Sequence, residues 1–488
     1  MTGMSMGILS YGAHVPRLRL QRQAAAEANA WFNPALKSLG KGERSMAGWD
    51  EDPITMAVEA ARDCLGDLPR ETLGAVHLAS TTLPFADRSN SAVVAAALNL
   101  PSSIRTQDLT GSRRAATSGL IAALEAPAGR GPTLFAASEK RKAKAGSAQE
   151  LQYGDGAVAL LVGEGRPIAR LVASHSETVD FVDQFRAFDR SFDYGWEERW
   201  IRDEGYLKIV PPAIAAALGK AGMAPDAVGH FCMPGILPRI AQMVAQRSKL
   251  PEASVRDNLA GVCGDTGAAH ALVMLAQTLE GAKPGERIVV VGFGQGCDVL
   301  VLEVTEAIGA LQPRRGVTGS LKRRRAETSY AKFLAFNDLI PLERGMRAEL
   351  DKATAMTALY RNNEMVQGLV GGRCTACGTL QFPKTKICVG PNCHAVHTQV
   401  DHPFAEMTGE VMSYTADMLT YSPEPPQHFG MIQFRDGGRI MMDITDVELG
   451  KVEVGMPMRM VFRIKDQDQQ RGFTRYFWKA APVAAAES

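Results

Sequence analysis

The chain has 488 residues, of which 45% are hydrophobic and 22% charged, and its formal net charge is +1. This length predicts two or three domains, and the near-zero charge argues against generic nucleic-acid binding, which needs a basic face to neutralise phosphates. The chain opens without the pattern of a signal peptide and has no apolar run of about 18 residues, so we expect a cytoplasmic protein that does not cross a membrane.

Short β-rich runs alternate with Ala-rich amphipathic stretches from Met6 to about Glu306, which predicts an α/β fold. Strands are predicted at Gly74–Ser80, Thr133–Ala137, Ala157–Val162, Ile168–Ser174, His230–Met233 and Arg287–Phe293. Helices are predicted at Asp52–Leu65, Ser91–Leu98, Ala116–Leu124, Pro212–Ala221, Pro238–Ser248 and Ala268–Leu279. The segment Thr178–Tyr206 interrupts the pattern with aromatic and charged residues, and it forms either a wall over a pocket or a solvated packing segment.

The stretch Asp108–Thr117, with the sequence DLTGSRRAAT, carries the main functional signal. It resembles the nucleophile turn of the hydroxymethylglutaryl-CoA synthase and ketoacyl synthase III families of the thiolase superfamily. In those families a strand ends in Asp, a Cys five residues later opens a buried helix, and a Thr follows four positions on. Counting from Asp108 gives Arg113 and then Thr117. A guanidinium stays protonated and can act neither as a nucleophile nor as a base, so acyl-thioester chemistry cannot start at Arg113.

The resemblance extends over roughly three hundred residues in the order of these families. Its other supporting segments are residues 48–52 (GWDED), 154–159 (GDGAVA) and 292–298 (GFGQGCD). The resemblance implies a thiolase-like fold of two similar α/β halves, residues 1–165 and 166–310, and a homodimer. Thr81 or Thr82 stands where hydroxymethylglutaryl-CoA synthases place an acidic residue near the end of a strand.

Further candidate residues come from the second half of the resemblance. Residues 229–235 (GHFCMPG) place Cys232 where these families have a catalytic His, and strand alternation puts His230 on the same face, one step deeper. Residues 263–270 (CGDTGAAH) place Asp265 where an Asn is expected at the start of a central helix, with His270 following it. We therefore predict Arg113, Asp265, His270, Cys232 and His230 as the candidate catalytic residues.

Each of the main candidates also has a purely structural interpretation. Asp265 can be the N-cap of the following helix instead of a base, and His270 can be a satisfied core histidine instead of an acid or base. Cys232 can be a small buried filler instead of a nucleophile. Arg113 can form an internal ion pair with Asp265, because burying an unpaired guanidinium costs several kcal/mol.

A basic segment follows the α/β region. The six basic residues between positions 314 and 325 predict a linker over residues 311–345, which is either solvated or a contact for the phosphates of coenzyme A. A helix near Met346–Tyr360 is predicted to lead from this linker into a zinc-binding module at residues 346–400.

The zinc prediction rests on two short cysteine pairs, Cys374 with Cys377 and Cys388 with Cys393. Two such pairs can form two knuckles around a tetrahedral Zn²⁺. The second pair departs from the commoner two-residue spacing, which leaves His394 as a weaker substitute ligand. Four protein ligands leave no open position, so we predict a structural metal.

Residues 401–488 predict a small OB-fold barrel. Its strands are predicted at Gly409–Leu419, His428–Phe434, Arg439–Ile444, Met458–Ile464 and Phe473–Trp478. From about residue 345 the chain resembles the zinc-ribbon plus OB-fold proteins that accompany thiolase-like enzymes acting on acyl-CoA. An OB-fold alone would suggest single-stranded nucleic acid, but the neutral charge and the thiolase-like half favour an acyl-CoA role.

These features together predict a CoA-dependent, thiolase-like acyltransferase or lyase that cleaves or forms a carbon–carbon bond beside a carbonyl without an acyl-enzyme. Because a planar guanidinium can hold a carboxylate or stabilise an enolate, the first prediction is retro-Claisen cleavage of a β-keto acid or β-ketoacyl-CoA, with coenzyme A as co-substrate. The degradation of aromatic or branched side chains is the setting we predict. The alternatives are retro-aldol cleavage of a β-hydroxyacyl-CoA, a hydroxymethylglutaryl-CoA or ketoacyl synthase, and a catalytically silent acyl-CoA-binding scaffold.

Overall fold

The computed structural model describes residues 5–127, 129–349 and 351–483. These residues form two compact units. The first contains residues up to 48, 52–92 and 102–337, and the second contains residues 49–51, 93–101 and those from 338 onward. The predicted α/β class is confirmed for the first unit, and a five-stranded antiparallel sheet is present in the second.

Fourteen strands and eleven α-helices lie between residues 5 and 337. The strands are β1 Ser5–His14, β2 Leu18–Gln21, β3 Glu43–Met46, β4 Ala75–Ala79, β5 Arg105–Leu109, β6 Thr133–Glu139, β7 Gly156–Gly165, β8 Ala169–Thr178, β9 Gln184–Phe185, β10 Tyr194–Gly195, β11 His230–Cys232, β12 Arg287–Phe293, β13 Gly296–Val304 and β14 Arg325–Glu327. The helices are α1 Arg22–Asn29, α2 Pro53–Leu65, α3 Asn90–Ala97, α4 Ala115–Leu124, α5 Ala148–Gln152, α6 Glu198–Trp200, α7 Leu207–Ala221, α8 Ile240–Arg247, α9 His270–Leu279, α10 Gly316–Lys322 and α11 Tyr330–Phe336.

The main sheet has nine strands in the order β11-β12-β13-β8-β1-β7-β6-β4-β5. Outward from its centre, β1 pairs antiparallel with β7, β7 antiparallel with β6, and β6 parallel with β4. On the other side, β8, β13, β12 and β11 repeat this pattern of two antiparallel pairs followed by a parallel pair. The repeat in topology is the duplication that the sequence resemblance implied. The predicted boundary near residue 165 falls between β7 and β8, and as a domain boundary it stays a prediction.

Two buried helices carry the residues of interest at their N-terminal ends. Helix α4 buries eight of its ten residues, and helix α9 buries every residue except Gln277. A helix that is apolar on all sides is stable only inside a protein. The turn before α4 contains Arg113, and the turn before α9 contains Asp265, so the packing of both helices fixes the position of these charged residues.

The segment 311–345 was predicted as a basic linker, and this prediction is wrong for most of its length, because residues up to 337 form α10, β14 and α11 of the first unit. Two of its basic residues are held by partners in that unit. The backbone N–H of Arg315 donates to Asp63 at 2.9 Å, and its guanidinium donates to the carbonyl of Ala13 at 3.2 Å. Nε of Arg324 donates to Glu43 at 2.8 Å. These two arginines are therefore fixed within the unit instead of being solvated.

From residue 338 onward, the described residues form two short helices and eight strands, and the second unit also includes the end of α3. The helices are α12 Met356–Arg361 and α13 Asn363–Gln367, and the strands are β15 Val370–Cys374, β16 Leu380–Gln381, β17 Gln399–Pro403, β18 Thr408–Asp417, β19 Gln427–Phe434, β20 Arg439–Asp443, β21 Pro457–Asp468 and β22 Phe473–Pro482. Strands β16-β15-β17 form one antiparallel sheet. Strands β20-β19-β18-β21-β22 form the other, and a bridge between Ile444 and Ala480 connects its two ends.

The helix predicted near Met346–Tyr360 is wrong as a continuous element. A single turn at Met346–Ala348 is followed by extended chain before α12, and residue 350 lies outside the described residues. The Asp351 carboxylate accepts the N–H of Ala353 at 3.0 Å and pairs with Arg471 at 2.9 Å. Such a local side-chain bond competes with the helical hydrogen bond, which explains the break.

Residues 49–51 are held inside the second unit by buried ion pairs. The Lys479 ammonium lies 2.8 Å from Asp50 and 4.1 Å from the ring centroid of Trp49. The Arg463 guanidinium lies 3.3 Å from Glu51. All four charged side chains are less than a tenth exposed, so these charges depend on each other for neutralisation.

No helix among the described residues is both long and apolar enough to cross a membrane.

Candidate functional site

Arg113 lies in the turn between β5 and α4 and forms a buried ion pair. Its Nη2 donates to Oδ2 of Asp265 at 2.7 Å, and its Nη1 donates to Oε1 of Gln184 at 3.4 Å. The Arg113 side chain is 13% exposed and that of Asp265 is 6% exposed. The internal pair that we gave as the structural interpretation is therefore present, and one edge of the guanidinium is already engaged by a carboxylate of the chain.

The ion pair weakens Asp265 as a base. Burial is the largest single effect and opposes the charged form of this carboxyl, but Arg113 and smaller neighbouring contributions together outweigh burial and lower the pKa of Asp265 to about 2. Oδ1 of Asp265 also accepts the backbone N–H of Gly267 at 2.7 Å, in the turn that opens α9. Asp265 thus caps the turn that opens α9 as well as pairing with Arg113. A carboxylate with such a low pKa binds a proton poorly at neutral pH and is therefore a weak base.

His270 is fully engaged inside the core. Its Nδ1 accepts the N–H of Thr266 at 3.0 Å, and its Nε2 donates to the carbonyl of Asn258 at 2.7 Å. A backbone N–H can only donate and a carbonyl can only accept, so the ring is neutral and carries its proton on Nε2. The side chain is 1% exposed. With both nitrogens occupied, His270 fits its structural interpretation better than an acid/base role.

Cys232 and His230 lie away from Arg113. Cys232 is buried, its thiol is 3.2 Å from the hydroxyl of Thr278, and burial raises the pKa of this thiol to about 11. Thr278 is eight residues after His270 on α9, which is about 12 Å along a helix. His230 pairs with Glu286 at 2.8 Å, at the opposite end of β12 from Arg113. The structure therefore does not bring these two candidates to the Arg113 position.

Arg141, Tyr153 and Asp193 form a buried charged cluster beside the ion pair that the sequence did not indicate. The Arg141 guanidinium stacks 3.8 Å from the centroid of the Tyr153 ring and donates to its hydroxyl at 3.1 Å. It also donates to Asp193, which accepts a second bond from Arg186 at 3.0 Å. Tyr153 is joined to Asp265 by a parallel β-bridge. The burial of Arg141 could not be predicted from the sequence, because this residue lies in a lysine-rich stretch that is typical of a solvated surface.

Glu139 is the second feature that the sequence did not indicate. It ends strand β6 and is fully buried. Oε1 accepts the backbone N–H of Thr81 at 2.7 Å and its hydroxyl at 2.9 Å, and Oε2 accepts the hydroxyl of Thr82 at 2.6 Å. Burial raises the pKa of Glu139, although the threonines and Arg141 oppose the shift. A carboxyl group thus lies at the two threonines that replace the acidic residue of the resembled family.

The segment Thr178–Tyr206 covers this region. Its β9–β10 hairpin contributes Gln184 to Arg113 and Asp193 to Arg141. The segment ends in a π-helical stretch, Ile201–Tyr206, and the buried Tyr206 ring stacks on Phe293 at 4.1 Å. Burial raises the pKa of Tyr206 while Arg113 opposes the shift. Of the two interpretations of this segment, the inward contacts favour a wall over the charged cluster.

The four cysteines of the second unit fit a tetrahedral metal. Their Sγ atoms all lie within 4.8 Å of one another, and this group of four does not include His394. Sγ of Cys374 is 3.9 Å from that of Cys393, and Sγ of Cys377 is 3.5 Å from that of Cys388. Zinc–sulfur bonds of about 2.3 Å in a tetrahedron require sulfur separations of about 3.8 Å. The four thiolates can therefore hold one Zn²⁺ with no further ligand.

Three family comparisons match separate parts of the chain. Residues 218–302 match the 3-oxoacyl-[acyl-carrier-protein] synthase III C-terminal family. Residues 365–396 match the ChsH2 rubredoxin-like zinc ribbon domain, and residues 403–463 match the ChsH2 C-terminal OB-fold domain. The predicted zinc ribbon and OB-fold are thereby confirmed as domain types.

Curated relatives cover about two thirds of the chain. The hydroxymethylglutaryl-CoA synthase of Archaeoglobus fulgidus is 30% identical over 345 residues, which are 67% of this chain and 97% of that enzyme. The same enzyme of Aeropyrum pernix is 29% identical over 335 residues, which are 67% of this chain and 92% of that enzyme.

Solved structures share the fold. A structure described as MvaS in complex with 3-hydroxy-3-methylglutaryl coenzyme A has 19% identity and a TM-score of 0.60, and the match covers 69% of this chain and 92% of that one. A hydroxymethylglutaryl-CoA synthase complexed with CoA has 18% identity and a TM-score of 0.59, with 82% and 100% covered. These similarities confirm the predicted thiolase-like fold.

Proposed function

The chain belongs to the hydroxymethylglutaryl-CoA synthase family, and from this premise we propose a CoA-dependent enzyme that cleaves a carbon–carbon bond beside a carbonyl without an acyl-enzyme. Membership makes it a thiolase-superfamily enzyme acting on acyl-CoA. The finer proposal is retro-Claisen cleavage of a β-keto acid or β-ketoacyl-CoA, in which coenzyme A is a co-substrate. Two solved structures of this fold hold coenzyme A or its 3-hydroxy-3-methylglutaryl thioester, which supports the choice of ligand class.

The observation that carries the proposal is Arg113 at the nucleophile turn. A guanidinium cannot become an acyl-thioester. The cysteines of the first unit do not replace the missing thiolate, because Cys64, Cys232, Cys263 and Cys297 are all buried. Burial raises the pKa of each of these thiols, to about 11 for Cys232 and to about 12 for Cys263. The sulfur nucleophile is therefore supplied by coenzyme A itself.

The proposed reaction conserves atoms and protons. The coenzyme A thiol loses its proton and its sulfur attacks the keto carbon, forming a C–S bond. The bond from this carbon to the neighbouring α-carbon then breaks, and the electron pair leaves as an enolate, which takes up the proton. The N–H groups of Arg113 that do not face Asp265 can donate to the enolate oxygen, and such fixed donors act strongly in a water-poor site. The products are a shortened acyl-CoA and the protonated fragment.

The second unit has a structural role in this proposal. One Zn²⁺ held by Cys374, Cys377, Cys388 and Cys393 would connect the two knuckles of the ribbon. Its role would be structural, because a closed four-cysteine site leaves no position for a substrate.

A homodimer and a cytoplasmic location are further proposals that rest on the family. The chain's formal net charge of +1 gives no reason to add a nucleic-acid partner.

The test is a thioester-forming assay. The purified full chain is incubated with coenzyme A and a panel of β-keto acids, β-ketoacyl-CoAs and β-hydroxyacyl-CoAs, including aryl-substituted ones, and the products are read by mass spectrometry. A shortened acyl-CoA from a β-keto substrate supports retro-Claisen cleavage, and one from a β-hydroxy substrate supports the retro-aldol alternative. Intact-protein mass after incubation with acetyl-CoA should show no added acetyl group. A stable acetyl-protein would refute the proposal and indicate a synthase.

A further inference from the structure

Glu139 and Arg141 are the buried titratable and cationic groups that the proposed reaction has not yet used. Glu139 has no cation of its own, because Arg141 pairs with Asp193 and Arg113 pairs with Asp265. Its hydrogen-bond partners in the described part of the chain are Thr81 and Thr82. Burial disfavours the charged form of a carboxyl whose hydrogen-bond donors are neutral, whereas the Arg113 guanidinium favours the charged form of Asp265.

Arg141 leaves one donor without a partner. Its Nη2 is engaged with Tyr153 and Asp193, but Nη1 has no hydrogen-bond partner among the described residues, although the side chain is 2% exposed. An unsatisfied buried donor destabilises the fold. A ligand oxygen bound to Nη1 would remove this destabilisation, so the free donor indicates a position for an acceptor atom.

Gly267 brings these two residues next to the turn that holds Asp265. Its φ is +59°, and a Cβ built there would lie 2.8 Å from Cδ of Arg141 and 3.1 Å from Cγ of Glu139. The backbone N–H of this glycine donates to Asp265. Only a residue without a side chain allows the ends of β6 and the start of α9 to approach this closely. Glu139, Arg141 and the Arg113–Asp265 pair therefore belong to one cluster.

We propose that Glu139 stores the proton of the cleavage reaction and passes it through the Thr82 hydroxyl, while Nη1 of Arg141 binds the enolate oxygen of the acyl-CoA. This inference rests on the proposed function and names its acid/base group. Glu139 is fully buried and Thr82 only half-buried, so Thr82 is the residue that meets the substrate. The Glu139 carboxylate takes the coenzyme A thiol proton through Thr82, and the same path returns it to the enolate carbon after the carbon–carbon bond breaks.

Several charged groups lie near Glu139, and of these Arg141 lowers its pKa. Arg141 follows it on the same segment, Arg186 donates to the carbonyl of Thr81, and Asp265 lies beyond Gly267. Burial is the largest effect and raises the pKa of Glu139 above its ordinary 4.5. Proton abstraction needs the carboxylate form, so its rate should rise with pH through this raised pKa and level off above it.

Hydrogen exchange at the α-carbon tests this role without requiring cleavage. Wild-type protein is incubated with propionyl-CoA in D₂O across a pH series, and deuterium uptake into the thioester is read by mass spectrometry. We expect uptake by the wild type and a loss of about 10²–10⁴-fold in Glu139→Gln, the usual size of a general acid–base contribution. The rise of the rate with pH should also disappear in this variant. Thr82→Val should lose exchange and Thr82→Ser should restore it.

A matched control variant distinguishes a folding defect from a loss of proton transfer as the cause of lost exchange. Glu150 is also fully buried, and burial raises the pKa of this carboxyl too, but it accepts its hydrogen bonds from Tyr330 and Gly146. Glu150→Gln should therefore retain exchange. Equal exchange in wild type and Glu139→Gln, or no exchange in the wild type, overturns the Glu139 proposal. Exchange that depends on Glu139 without any shortened acyl-CoA overturns the cleavage reaction alone.

Discussion

Arg113→Leu, Asp265→Asn and the double variant test whether the buried pair is a single electrostatic unit. Burial raises the pKa of Asp265, but Arg113 and smaller neighbouring contributions together lower it from 3.8 to about 2. At about 1.4 kcal/mol per pKa unit, this shift corresponds to about 2 kcal/mol of stability near neutral pH. Removing one partner of a buried pair typically costs about 3–5 kcal/mol, because the other charge is left uncompensated.

The two single variants should differ in a defined direction. In Arg113→Leu the remaining carboxyl can take up a proton and become neutral, whereas in Asp265→Asn the remaining guanidinium cannot lose its charge. We therefore expect Asp265→Asn to lower the free energy of unfolding more than Arg113→Leu. The double variant removes both charges, so it should be more stable than the sum of the single effects predicts, by about 2 kcal/mol.

Urea unfolding followed by tryptophan fluorescence measures these free energies at pH 7. The sign of the pH dependence is fixed, because a carboxyl with a lowered pKa stabilises the fold above its ordinary value of 3.8 and loses this effect as the pH falls through about 2. The contribution of this carboxyl to wild-type stability should therefore be constant between pH 5 and pH 7, a range chosen to lie above both values. Additive effects of the two substitutions would refute the assignment of the pair as one unit.

Three further substitutions test other parts of the structure. Gly267→Ala should lower the melting temperature and abolish α-carbon exchange, because its Cβ would collide with Arg141, whereas Gly281→Ala, which meets no atom within 4 Å, should change neither. Cys388→Ser should reduce the zinc content from one ion per chain, measured by metal analysis, and an undiminished content would disprove the four-cysteine site. Lys479→Met removes the nearer of the two cations beside buried Asp50 and leaves only Arg463 at 4.0 Å, so urea titration should show a loss of up to about 3–5 kcal/mol in the second unit, and an unchanged midpoint would contradict the burial argument.

The elements of the fold were predictable because their signals are local. Asp52 accepts the N–H of Thr55 and the hydroxyl of Thr55 accepts the backbone N–H of Asp52, so the predicted helix Asp52–Leu65 begins with a complete capping box. Strand β12 has the bounds that its apolar run predicts, Arg287–Phe293. The helix near Met346–Tyr360 failed because the Asp351 side chain has a competing local bond, which periodicity does not register.

The candidate site was only partly predictable because it depends on contacts between distant segments. The pairing of Arg113 with Asp265 could be stated in advance, since a buried arginine requires an anion. Glu139 could not be found in this way, because its threonine partners come from the end of another strand, 58 residues earlier in the chain. The family motif predicts only the strand that carries Cys232 and His230. Which residues their side chains contact depends on the neighbouring helix and turn, so their separation from Arg113 could not be predicted.

The grouping of residues 49–51 with the second unit also bears on when that unit can finish folding during synthesis. Asp50 and Lys479 are 429 residues apart. At a translation rate of about 5–20 residues per second, Asp50 waits roughly 20–90 s for its ammonium partner. During this interval the acidic tripeptide, residues 49–51, must remain in water or with a chaperone, since its carboxylates cannot be buried alone. A nascent chain stalled before residue 463 should therefore expose Trp49 to solvent quenchers, even after the nine-stranded sheet has formed.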